Sequence, residues 1–136
     1  MKSATEQSKT LLRHANRVVA IMREEIAAHG RLHGLLGRQE ASVTAPGSEE
    51  FRDATIGLEA ELARAPHRVS KRTQALADLA EALGVARGAL TLSSAAERLG
   101  DDGAALALCR DELAACTEET RKRTLRVSAL VRLHRE

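Results

Sequence analysis

"TAPGSEE", residues 44–50, is the stretch that decides the fold, because it separates two long runs of helical pattern. Pro46 and Gly47 end the first run, since proline cannot continue a helix and glycine is favoured just past a helix end. Ser48 then has the character of an N-cap residue, and the two glutamates after it suit the first turn of a new helix. We therefore predict an antiparallel hairpin of two long helices.

The run before this turn has the periodicity of one long helix. Ser3 and Glu6 have the spacing of a capping box, and we expect helix 1 to cover about residues 3–44. Apolar or small residues then recur three or four positions apart: Leu11, Ala15, Val18, Met22, Ile26, His29, Leu32, Leu36 and Val43.

The run after the turn repeats the pattern, and we expect helix 2 to cover about residues 48–84. The alternating spacing of four and three is that of a coiled-coil seam facing helix 1. Pro66 removes a backbone donor, which predicts a kink or a break near Ala63 to Pro66. The seam positions are Phe51, Thr55, Leu58, Leu62, Ala65, Val69, Arg72, Leu76, Leu79 and Leu83.

Two further helices complete the prediction. A short helix at about residues 92–99 opens on Thr91 or Ser93 and closes at Gly100, and an amphipathic helix 4 covers about residues 102–133. Only one residue is aromatic, which favours helix packing over a sheet, since strands draw on aromatic residues. We predict an all-α fold over residues 1–136, a single domain in which a coiled-coil hairpin is followed by a short helix and a C-terminal helix that packs on it.

Composition narrows the class of protein. With 136 residues, 43% hydrophobic and 29% charged, the chain is of globular type, and a net charge of +2 does not indicate a polyanion partner. No signal-peptide pattern opens the chain and no window approaches the roughly 20 apolar residues of a membrane span, so we expect a cytoplasmic protein with no stable membrane insertion. Cys109 and Cys116 stand about 10 Å apart along one helix, too far for a disulfide, and are expected to be small packing residues in a reducing compartment.

No constellation in the sequence points to catalysis or to a metal. His29 and His33 are four residues apart, a spacing that can place two imidazoles on one metal, but no further ligands have matching spacing. The alternative is a pair of solvated or half-buried helix histidines. No phosphate loop, nucleophile elbow or zinc-protease motif occurs, so we expect a protein that is not an enzyme and needs no cofactor.

A basic run near the end of the chain raises the question of nucleic acid. Cations in the last turns of a helix complement the helix dipole, acidic residues precede the run, and no aromatic residue is present there to stack on a base. We therefore expect no nucleic-acid partner. The run consists of Arg121, Lys122, Arg123 and Arg126, with Arg132 and Arg135 beyond them.

The order of elements resembles that of the FlgN-type flagellar export chaperones. The resemblance rests on three segments: "LHGLLGRQEASV" (32–43), "LADLAEALGV" (76–85) and "LTLSSAAERLG" (90–100). It implies a FlgN-like bundle that acts as a cytoplasmic type III export chaperone. Such a protein binds the C-terminal helical segments of hook-associated proteins, at the hook-filament junction, and delivers them to the flagellar export apparatus. A tyrosine that some members use for docking on the export gate has no counterpart here.

In this family the C-terminal helix binds the client. In this chain the corresponding helix has a thin apolar face, which predicts that a partner completes its packing. The alternative is a structural, self-associating coiled-coil scaffold or adaptor with no export role, in which a second copy covers the same face in a homodimer. Carried over by position, the client-binding residues are Leu113, Cys116, Thr120, Thr124, Val127, Leu130 and Val131.

Overall fold

The computed structural model describes residues 3–135, and every regular element in that range is helical. The all-α prediction is confirmed, with two long N-terminal helices that pack against a C-terminal helix. Residues 1, 2 and 136 of the predicted domain lie outside the described range. The elements are α1 (Ala4–Ala41), α2 (Glu49–Ala82), α3 (Leu92–Leu99), a 3-10 helix (Gly100–Gly103) and α4 (Ala104–Arg135).

Serine caps start both hairpin helices, as predicted. The Oγ of Ser3 accepts a hydrogen bond from the backbone N–H of Glu6 at 3.2 Å, and Ser48 accepts one from Phe51 at 3.2 Å. Each cap satisfies one of the backbone donors that a helix start leaves without a partner. Helix α1 ends three residues before the predicted limit, where the hydroxyl of Ser42 donates to the carbonyl of Arg38 at 2.7 Å.

The start of α3 is a capping box. The Oγ1 of Thr91 accepts from the N–H of Ser94 at 3.0 Å, and the Oγ of Ser94 accepts from the N–H of Thr91 at 2.9 Å. The predicted opening at Thr91 is therefore confirmed. Gly100 ends α3 with φ at +57°, a backbone region that disfavours side chains. Because the 3-10 helix follows, α4 begins at Ala104, slightly later than predicted.

Helix α2 continues through Pro66. Helical structure extends from Glu49 to Ala82 without a gap, so the predicted break does not occur. Proline lacks the N–H that would bond to the carbonyl one turn earlier, but the donors on either side of it remain. The loss of one backbone hydrogen bond costs less free energy than ending a helix whose neighbouring turns are packed.

The described residues form two compact units, one within Met1–Glu25 and His67–Leu113 and one within Ile26–Pro66 and Ala114–Glu136. In the first unit α1 and α2 run antiparallel, since Arg17 pairs with Asp78 at 3.2 Å and Glu25 pairs with Arg72 at 2.9 Å. Its fully buried side chains come from all four α-helices. They include Val18, Met22, Leu79, Ala80, Ala95 and Leu106.

The second unit repeats the antiparallel pairing and adds the C-terminal part of α4. Arg31 pairs with Glu61 at 2.7 Å, and the Nε2 of Gln39 donates to the Oγ1 of Thr55 at 3.2 Å. One cluster of buried side chains joins all three helices of this unit. Its members are Leu32 and Leu36 of α1, Leu58 of α2 and Val127 of α4, with Leu35 and Val131 packed against them.

The predicted seam of α2 is wrong at Leu62 and at Val69, which is 45% exposed. Leu62 is 56% exposed, and Glu61, one position earlier, is 6% exposed and takes the inward place. The burial of a carboxylate is possible here because the guanidinium of Arg31 lies 2.7 Å from it. A straight helix drifts relative to a fixed seven-residue repeat, so the inward position moves from one residue to its neighbour along a long helix.

Candidate partner-binding surface

Val127 holds the end of α4 onto the hairpin of the second unit. Its side chain is 1% exposed and belongs to the cluster with Leu32, Leu36 and Leu58. Burial of a valine side chain stabilises by about 1.5–3 kcal/mol. Val131, one turn later on the same side of α4, is half-buried against the same cluster.

Thr120, two turns before Val127, makes polar contacts between α4 and α1. Its Oγ1 lies 2.8 Å from Nδ1 of His29 and 3.2 Å from Nε2 of His33, and Thr117 lies 3.5 Å from the other nitrogen of His29. A hydroxyl donates once and accepts twice, so it can serve both rings, with tautomers that match. Both histidines are half-buried, which is one of the two states expected for histidines without a metal. Their contacts with Thr120 fix the register of α4 on α1.

No group of three or more metal-ligating side chains comes together within residues 3–135. The thiols of Cys109 and Cys116 are both free, as predicted, with Cys109 buried and Cys116 half-buried. Both cysteines therefore behave as packing residues of their respective units.

Carboxylates accompany much of the basic run on α4. Glu40 of α1 lies 3.2 Å from Arg126 and 3.7 Å from Arg123, and Glu118 holds Arg121 through two hydrogen bonds of 2.7 and 3.0 Å. The hydrogen bonds from Arg121 lower the pKa of the Glu118 carboxyl. Three arginines of the basic run are thus already paired with acids.

The predicted client-binding residues differ in accessibility. Leu113 and Val127 are buried, and only Thr124 is exposed. Leu113 belongs to the first unit and the other six to the second. The half-buried members are Cys116, Thr120, Leu130 and Val131. The client role of these residues stays a prediction, and Val127 contacts the protein's own hairpin.

The opposite side of α4 carries a second apolar stripe, which the sequence analysis missed. Leu125 is 58% exposed, Leu133 is 68% exposed, and Ala129 between them is also exposed. At 3.6 residues per turn, Leu125 and Val127 point about 200° apart around the helix axis. We call Leu125, Ala129 and Leu133 the outer stripe. A signal for it was present, because apolar residues at 125, 127, 130, 131 and 133 are too many for one face.

Comparison with models of known protein families, with curated proteins and with solved structures finds no match for this chain. None of the helices in the described range has the combination of length and apolar composition that a membrane span requires.

Proposed function

We propose that this protein is a cytoplasmic, non-enzymatic chaperone of flagellar type III export, and that the outer stripe of α4 binds a helical client. The observation that carries the proposal is the pair of leucines at 58% and 68% exposure on the side of α4 that faces away from Val127. A helix with apolar side chains on two sides is typical of one that packs on two partners. The hairpin of the second unit is one partner, and the client is the other.

A helix is the occupant that fits the stripe best. Leu125, Ala129 and Leu133 follow each other at four-residue intervals, so they form a ridge about 12 Å long that is inclined to the axis of the helix. A small residue between two large ones leaves a groove on the helix surface, and the side chains of a second helix pack into such a groove. The exposed Thr124 and the accessible part of Leu130 are the flanking contacts in this proposal.

The resemblance to the FlgN-type chaperones supports the identity of the client. By this resemblance, the clients are the C-terminal helical segments of hook-associated proteins, and the recipient is the flagellar export apparatus. The test is titration of such segments into the purified chain by calorimetry. We expect a dissociation constant of about 1 μM or lower, equivalent to about 8 kcal/mol.

A matched control uses the same segments with a proline in the middle of the apolar face. Proline destabilises a helix interior by about 3 kcal/mol, so binding should weaken at least 100-fold if the client must be helical. Failure of every segment to bind would contradict the chaperone proposal. A homodimer that buries Leu125 and Leu133 would support the self-associating scaffold in its place.

A further inference from the structure

A second surface lies between α1 and α2 of the second unit, in a cavity of about 430 Å³. Its floor is made of small or apolar residues: Gly34 and Leu35 from α1, Gly57 and Ala60 from α2. Its rim is made of charged residues: Arg31, Arg38, Glu61 and Arg64. We call this surface the hairpin groove.

The floor of the groove is low at Gly34, which has no side chain. A Cβ placed on Gly34 would meet no atom within 4 Å, so the space above it is open. A Cβ on Gly57 would lie 2.7 Å from Cδ2 of Leu35, so the leucine side chain lies over this glycine. Helices approach each other to about 8–10 Å, and the smaller the side chains at the contact, the closer they come. The groove therefore allows close approach of a third helix.

The rim carries a clear excess of positive charge. Three arginines and one glutamate give a formal charge of +2. Glu61 is shared, since Arg31 lies 2.7 Å and Arg64 3.5 Å from the same carboxylate oxygen. Within residues 3–135, Arg38 forms no ion pair. A ligand that supplies carboxylates would complete the pairing of these cations.

The positions of the arginines define the spacing of those carboxylates. Arg31 and Arg38 are two turns apart on α1, about 10 Å along its axis, and Arg64 stands at the same end as Arg31 because both contact Glu61. The exposed side chain of Ile56, one turn before Ala60 on α2, adds apolar surface beside the floor.

We propose that the hairpin groove binds an acidic α-helix of a partner protein. Its small apolar residues lie over Gly34, and carboxylates seven residues apart meet Arg38 at one end and Arg31 with Arg64 at the other. The groove and the outer stripe are separate surfaces of the second unit. The proposal therefore goes beyond the client site on α4 and does not depend on it.

The probe is a capped, alanine-rich helical peptide of about 18 residues, long enough to be partly helical alone. Two glutamates seven residues apart flank alanines on one face, and a second peptide has lysines at those two positions. In fluorescence anisotropy titrations the glutamate peptide should bind at least about tenfold more tightly than the lysine peptide. Arg38→Glu should weaken its binding about tenfold or more.

The sharpest comparison is between two glycines of α1. Gly34→Leu fills the floor and should abolish binding of the glutamate peptide. Gly30→Leu is the matched control, because Gly30 also faces open space but does not line the groove, and binding should stay within about twofold. Circular dichroism should show both variants at least as helical as wild type, since leucine is the better helix former.

Equal binding of the two peptides, or equal effects of the two glycine variants, would overturn the proposal. So would a wild-type dimer in sedimentation that Gly34→Leu converts to monomer, because a second copy would then be the occupant. The variant with Leu125→Gln and Leu133→Gln should bind the glutamate peptide as wild type does. This last result separates the groove from the client site.

Discussion

The guanidinium of Arg72 lies against the buried carboxylate of Glu25 inside the first unit, with Nε 2.9 Å from Oε1. The two atoms form an ion pair at an angle that gives no hydrogen bond between them. Burial raises the pKa of Glu25 above its ordinary value, and the charges of Arg72 and then Arg68 offset part of that rise. The charged form of Glu25 is therefore less stable here than in water.

This raised pKa predicts how stability depends on pH. A carboxyl with a higher pKa in the folded chain binds more protons when folded, so its contribution to the free energy of unfolding falls as pH rises from 4.5 through the raised value. Glu25→Gln removes that contribution. Urea unfolding should therefore show wild type gaining stability relative to the variant as pH is lowered from 7 to 4.5. The exposed Glu24→Gln controls for the loss of one negative charge, and a Glu25→Gln difference that is constant or of opposite sign would refute this account.

Side chains on the inward side of α4 should contribute to the free energy of unfolding, and those on the outward side should not. Val127→Ala removes two methyl groups from a closed cluster and should lower the free energy of unfolding by about 2 kcal/mol. Leu125→Ala, two residues away on the outer stripe, should change it by less than about 0.5 kcal/mol. Chemical denaturation of both variants measures this directly. Equal losses would show that both sides of α4 are packed in the isolated protein.

Gly103 should tolerate no side chain. A Cβ there would overlap the carbonyl oxygen of Ala96 and lie 2.9 Å from its Cα, and backbone atoms cannot move aside as the end of a side chain can. We expect Gly103→Ala to destabilise by about 1–3 kcal/mol. Gly30→Ala is the control, because a Cβ there meets open space and alanine favours the helix, so stability should rise by about 0.5–1 kcal/mol. A neutral Gly103→Ala would mean that the start of α4 can shift.

The ends of the helices were readable from the sequence, because each depends on a few neighbouring residues. Ser48 and Thr91 act as caps through hydrogen bonds that span three residues, and residue spacing alone predicts such bonds. Gly100 ends α3 for an equally local reason, its positive φ. Local chemistry therefore fixed where the helices begin and end, with errors of a few residues.

The side of a long helix that faces inward was harder to read. The periodic pattern placed Leu62 in the seam, but the structure buries Glu61 because Arg31, from another helix, neutralises it. That pairing spans 30 residues and no local pattern contains it. The same holds for Thr120, whose partners His29 and His33 lie on α1. These contacts decide how α4 lies on the hairpin.

The candidate site was only partly readable for a similar reason. The sequence predicted that α4 binds a partner, and it predicted that the partner binds the face that contains Val127. The structure shows that the hairpin itself covers Val127, which leaves Leu125 and Leu133 as the exposed leucines of the second unit on this helix. A choice between two apolar sides of one helix requires knowledge of which side the rest of the fold covers.

The central claim is that the outer stripe of α4 binds a helical client. It is tested most directly by measuring the dissociation constant of a hook-associated C-terminal segment from one double variant of this protein and from one control variant. Leu125→Gln with Leu133→Gln keeps residues that favour helices and removes two exposed apolar side chains. Leu108→Gln makes the same change at an exposed leucine of the same helix in the first unit. The account predicts that the double variant raises the dissociation constant at least about 100-fold, equivalent to about 2.7 kcal/mol, while the control changes it less than about twofold. Unchanged binding by the double variant, or an equal loss in Leu108→Gln, would contradict it.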